Sequence, residues 1–197
     1  MLADRERNAA RHDGTTGNWT LRIGSRSDVR TALFLRDVLA LTVPADPYPP
    51  TDPWVPVLPA GDVDRAAVAA EWLDWFDSIL DGACLDAEDG CDPASDWMAR
   101  WPAVRGALSV FADPVRRWEE QLRRRDRRQP RVDDLVAAAG SELDRQPRAF
   151  ELAITELPVR GQFWVRRGHS QVLVSPTLLD NLPAFGWALR PLIRELS

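Results

Sequence analysis

Histidine and cysteine, the side chains that most often shuttle protons near neutral pH or hold transition metals, are scarce in this chain. Histidine occurs only at His12 and His169. His169 follows Gly168 and precedes Ser170, so a hairpin turn would carry it, and it would need a carboxylate brought near by the fold to act as a base. Neither GxSxG nor HExxH is present, which leaves the familiar hydrolase constellations without support. Cys84 and Cys91 are the two cysteines, and no second pair stands beside them to complete a zinc site. They read as two reduced thiols near a loop. Setting Gly90 at the glycine position of an EF-hand loop puts Leu85 and Ala87 where carboxylates are required, so the calcium motif fails. All 25 basic residues are arginine. Without an internal lysine there is no Schiff base to a carbonyl, no Ser-Lys dyad and no phosphate-cradling P-loop lysine. No cofactor pattern is present, and none is expected.

Three surface patterns remain. The segment from Asp113 to Arg131 holds 8 arginines in 19 residues. At roughly 100° per residue, Val115, Trp118 and Leu122 form a narrow apolar stripe. Arg116, Arg117, Arg123, Arg124, Arg127 and Arg128 lie opposite, a face able to meet phosphates or an acidic protein. Glu119 to Arg123 and Glu120 to Arg124 are i, i+4 pairs that would neutralise part of it. Asp74, Asp77 and Asp81 share a helix face, and a solvated face is the simpler account of them than a cation site.

The third pattern is the most specific. Proline recurs at Pro44, Pro47, Pro50, Pro53, Pro56 and Pro59, with Pro49 in addition. Polyproline II has three residues per turn, so the six would form one ridge on an extended segment of roughly 45 Å. Such a segment is either a preformed ligand for an aromatic-lined groove or a stiff strap over the protein's own core. Trp54 lies within it, and would either pin the segment or be offered to a partner. The candidate partner-binding residues are therefore Pro47, Pro50, Pro53, Trp54, Pro56, Arg123, Arg124 and Arg127.

The elements that must position these residues follow from periodicity. Residues 1–18 are polar and aperiodic and read as a flexible arm, with 19–197 as one compact domain. Trp19 to Ile23 suggests a strand, and residues 28–42 a helix after the caps at 25–28. The run from Val63 places Ala69, Trp72, Leu73, Phe76, Ile79 and Leu80 on one helical stripe. A further helical region holds Trp97 to Phe111, restarted at Pro102, and Asp113-Pro114 predicts the start of a new helix. Val132 to Leu143 predicts another. From Phe150 the period changes to two, and Gly161 and Gly168 divide the remainder into strands of a three-stranded antiparallel meander. A closing helix spans about 177–196.

The expected class is α+β: helices with a proline-rich extended segment, then a small sheet and a final helix. With net charge −5 the whole-molecule field draws neither nucleic acid nor an anionic membrane. The polar first residues and the lack of a long apolar run read as a cytoplasmic, non-membrane protein. The expected function is a non-catalytic interaction or accessory protein with a protein partner. The alternatives are a nucleic-acid-associated factor using the Arg-rich helix 113–129, and an enzyme of unrecognised type using His169. Oligomeric state is not legible in the residues.

Overall fold

The computed structural model describes residues 9–14, 17–82, 96–125 and 150–196, with side chains from Thr20 onward among them except those of residues 96, 97 and 125. The chain forms two compact units: Met1–Ser25 together with Arg127–Ser197, and Arg26–Asp126. The second is inserted between two strands of the first. Mixed helix and sheet agrees with the α+β expectation.

The inserted unit holds α1 (Ser27–Val38), α2 (Arg65–Leu80), a 3-10 turn (Asp96–Arg100) and α3 (Pro102–Arg125). The three α-helices pack pairwise. Asp64 caps α2 by accepting from the amides of Ala66 and Ala67 at 2.9 and 3.1 Å. Glu71 of α2 accepts from the Ala103 and Val104 amides, both at 3.0 Å, and so satisfies the open first turn of α3. The core between the helices is aromatic: Trp72 stacks on Phe76, Phe34 meets Trp118, and the Trp72 indole donates to the Ala32 carbonyl at 2.8 Å.

A new helix does not begin at Asp113. α3 runs through Pro114 unbroken, because Val104, Leu108, Phe111, Val115, Trp118 and Leu122 form one stripe in constant phase. Their burial against α1 and α2 outweighs the single backbone hydrogen bond that a proline deletes. The expected helix at 132–143, like Cys84 and Cys91, lies outside the described residues.

The other unit is a five-stranded mixed sheet of order β1-β2-β3-β5-β4, from β1 (Ala9–Gly14), β2 (Gly17–Ser25), β3 (Glu151–Glu156), β4 (Trp164–Arg167) and β5 (Gln171–Val174). Residues 9–14, expected within a flexible arm, pair with β2 as an antiparallel hairpin. The predicted three-stranded antiparallel meander is also corrected. β4 and β5 form the expected hairpin, but β3 lies parallel to both β2 and β5. Burial decides the order: Val172, Leu173 and Val174 of β5 are all buried, whereas β4 is half-exposed. The apolar strand takes the interior position and the polar one the edge.

Leu21 pairs with Leu152, Ile23 with Ile154, and Ile154 with Val172, so these residues share one face of the sheet. That face packs against α4 (Pro176–Asp180) and α5 (Leu182–Leu196) through Leu178, Phe185, Leu189 and Ile193. Each such side chain contributes about 1.5–3 kcal/mol on burial. Ser175 locks the connection. Its hydroxyl donates to the Gly161 carbonyl at 2.7 Å and accepts from the Phe163 amide at 2.9 Å and the Leu178 amide at 3.3 Å.

Candidate functional site

The proline segment is a strap on the inserted unit, and its two sides differ. Val43, Tyr48, Thr51, Val55 and Ala60 are buried, while Pro44, Pro47, Pro50, Pro56 and Pro59 are exposed and Pro53 is half-buried. The recurring prolines therefore face solvent and the residues between them anchor the strap. Ala45 has φ 58°, which a polyproline II helix does not contain, so the ridge is bent rather than a single straight rod.

Three side chains of the helices hold the strap. Arg36, 4% exposed on α1, donates to the carbonyls of Tyr48 at 2.9 Å and Pro49 at 2.8 Å, and pairs with Asp46 at 3.0 Å and Asp37 at 2.7 Å. Asp37 accepts from the Thr51 amide at 2.7 Å. On α3 the Trp118 indole donates to the Pro53 carbonyl at 3.2 Å. A chain rich in proline has few amides to donate, so its carbonyls are the groups left needing partners, and Arg36 and Trp118 supply donors. Tyr48 packs edge-on against Phe76 with centroids 5.0 Å apart.

Trp54, the next residue after Pro53, is 61% exposed, and Val57 beside it is also exposed. The other described tryptophans of this unit behave as core: Trp72, Trp75, Trp101 and Trp118 are buried. Trp54 does not pin the strap; its neighbours do.

The arginine face of α3 is exposed but partly neutralised. Arg116 pairs with Asp113 at 2.8 Å, and Arg123 stands 4.0 Å from Glu119, whose carboxylate also accepts from the Ser27 hydroxyl. The expected Glu120 to Arg124 pair does not form among the described residues, and Arg127 lies outside them. The aspartate face is engaged as well: Asp74 accepts from the Trp101 indole at 2.7 Å and from Arg100 at 3.2 Å. Among the described residues no group of His, Cys, Asp and Glu could hold a metal ion.

His169 lies in the exposed turn between β4 and β5, as the glycine before it suggested. A carboxylate is brought near, but Arg166 occupies it: its guanidinium grips Glu195 at 2.5 and 2.8 Å and also donates to the Gly168 and His169 carbonyls. This bond to Arg166 is the main cause holding the Glu195 carboxyl below its ordinary value, with the charges of Arg166 and His169 adding to it. The assembly ties the β4-β5 turn to α5 on the surface.

Two features escaped the sequence reading. Arg36 was signalled only by its position among Phe34, Leu35, Val38 and Leu39, where a charge has no place unless it is paired. Trp187, 78% exposed on α5, interrupts the pattern of Phe185, Leu189 and Leu192. Among the described residues no helix is long and apolar enough to cross a membrane. No protein-family model, no curated protein and no solved structure matches this chain.

Proposed function

We propose that this is a non-catalytic interaction protein whose inserted helical unit presents the proline strap to a protein partner. The observation that supports the reading is the two-sidedness of the strap: Trp54 and five prolines face outward while Tyr48, Thr51 and Val55 are anchored inward. A segment already held by Arg36, Asp37 and Trp118 loses little conformational freedom on docking. An exposed indole between proline rings supplies rigid apolar area of the kind that anchors interfaces. The partner surface would be a groove that takes proline rings and one indole. The wide face of Arg116, Arg117, Arg123 and Arg124 supports nucleic-acid binding less well, since two of its four cations already meet carboxylates.

Capture from nuclease-treated lysate of the source cell, with the wild-type chain and the Trp54→Ala and Pro50→Ala/Pro56→Ala variants as bait, tests this. The reading requires a stoichiometric protein that the wild type retains and both variants lose. An identical set of proteins on all three baits overturns it, as does turnover of a substrate by the isolated chain.

A further inference from the structure

Two lines of side chains on α3 follow the alternating four-and-three step by which helices pack side by side. Val104, Leu108, Phe111, Val115, Trp118 and Leu122 form the first, and the unit's own core covers it. Val110, Pro114, Arg117, Gln121 and Arg124 form the second, roughly 120° around the helix from the first. Since α3 is continuous through Pro114, all five stand on one straight element.

The second line is open. Val110, Arg117, Gln121 and Arg124 are exposed, and Pro114 is half-buried. Val110 is 56% exposed, whereas every other valine, leucine and aromatic described on this helix is buried or half-buried. One turn before it stands Gly106, also exposed, where a side chain would meet no neighbour within 4 Å. Glycine weakens a helix interior relative to alanine. No close approach inside the chain calls for it here, and it keeps the surface low beside Val110.

The other end of the line is cationic. Arg116 and Arg123, off the line, meet Asp113 and Glu119. Arg117 and Arg124, two turns apart on it, have no hydrogen bond or ion pair among the described residues. No acidic residue lies within about 40° of the line, and Glu120, to one side, joins neither arginine. The face is thus apolar and low at one end, and at the other carries two cations without a counter-charge.

We propose that this second line of α3 docks a helix of a partner protein, apolar where it meets Gly106 and Val110 and carrying carboxylates two turns apart where it meets Arg117 and Arg124. A helix matches the four-and-three step over the length of about 21 Å from Val110 to Arg124. Carboxylates match the planar fork of a guanidinium, which can donate to both oxygens of one group. A nucleic-acid backbone is served less well, because two cations two turns apart neutralise at most two phosphates and Val110 adds nothing to them. The surface lies on α3 alone, so the proposal goes beyond the reading of the strap and does not depend on it.

Fluorescence anisotropy of the full chain with labelled synthetic probes tests it. One helical peptide carries leucines at the four-and-three spacing and glutamates seven residues apart beside them. A second has lysine in place of each glutamate, and a short DNA duplex is the third probe. The glutamate peptide should bind at least about tenfold more tightly than the lysine peptide, and Arg117→Glu/Arg124→Glu should invert that order. Gly106→Leu should weaken the glutamate peptide about tenfold without lowering the thermal midpoint, which separates a blocked face from a damaged fold. Trp54→Ala should leave the affinity unchanged, so a failure of the strap reading does not carry over. Equal affinity for the two peptides, an order not inverted in the double variant, wild-type binding by Gly106→Leu, or tighter binding of the duplex than of the glutamate peptide overturns the proposal.

Discussion

Arg36 and Tyr48 are joined by a 2.9 Å hydrogen bond from the guanidinium to the backbone carbonyl, which fastens the proline strap to the first helix of the inserted unit. The same guanidinium reaches Pro49, Asp37 and Asp46, so two strap carbonyls and two carboxylates meet at a single cation.

Replacing Arg36 with Leu should lower unfolding stability by about 3–5 kcal/mol, the cost of leaving buried polar and charged partners without their counterpart. Arg36→Lys should recover only part of this, since one ammonium cannot span partners that a guanidinium reaches along different directions. Urea denaturation with a common m-value checks both variants.

Trp54 and Trp118 should separate stability from surface role. Trp118→Phe keeps the packing near Phe34 but removes the donor to Pro53, and should cost about 1–2 kcal/mol. Trp54→Ala should change stability by no more than about 0.5 kcal/mol, as expected for an exposed side chain. Thermal unfolding of the two variants side by side distinguishes the anchored indole from the offered one.

Ser175→Ala removes the acceptor shared by the Phe163 and Leu178 amides and the donor to Gly161. A loss of about 1–3 kcal/mol is expected, combining a missing helix cap with unsatisfied groups in a closed turn. Amide exchange at Phe163 and Leu178 should quicken with it, which locates the effect.

Glu195 gives a pH dependence of known sign. Its carboxyl is held below the ordinary 4.5, chiefly by the bond to Arg166, so the folded state binds the proton less readily than the unfolded chain does. The stability it adds is fully present above the ordinary value and is lost as pH falls through the lowered one. The difference between wild type and Glu195→Gln should be constant near neutral pH and vanish in acid, and it should be small because the pair is solvent-exposed. Denaturation midpoints measured across that range check it.

Much of the helical layout was legible because burial on one side of a helix writes a stripe into the sequence. Trp72, Phe76, Ile79 and Leu80 announced α2, and β3 appeared in the alternation of Leu152 and Ile154. The turn position of His169 was legible for a different reason, the glycine before it, whereas which way the prolines face was not. Nor was the continuity of α3: a proline after an aspartate reads locally as a helix start, and only the phase of Phe111 with Val115 against two other helices overrides it.

By itself the sequence determined that every basic residue is arginine, the proline spacing, and the periods of most of its helices and strands, since these depend on residue identity and on neighbours a few positions away. Tertiary structure alone decided that β5 rather than β4 lies beside β3, that Arg36 is the clamp of the strap, and that Trp54 faces solvent while Trp118 does not. Each of these turns on partners far apart in the chain. The Pro53 carbonyl finds its donor 65 residues away. No local pattern encodes which of two tryptophans will be that donor, because the choice is made by how three helices and a strap fill one core.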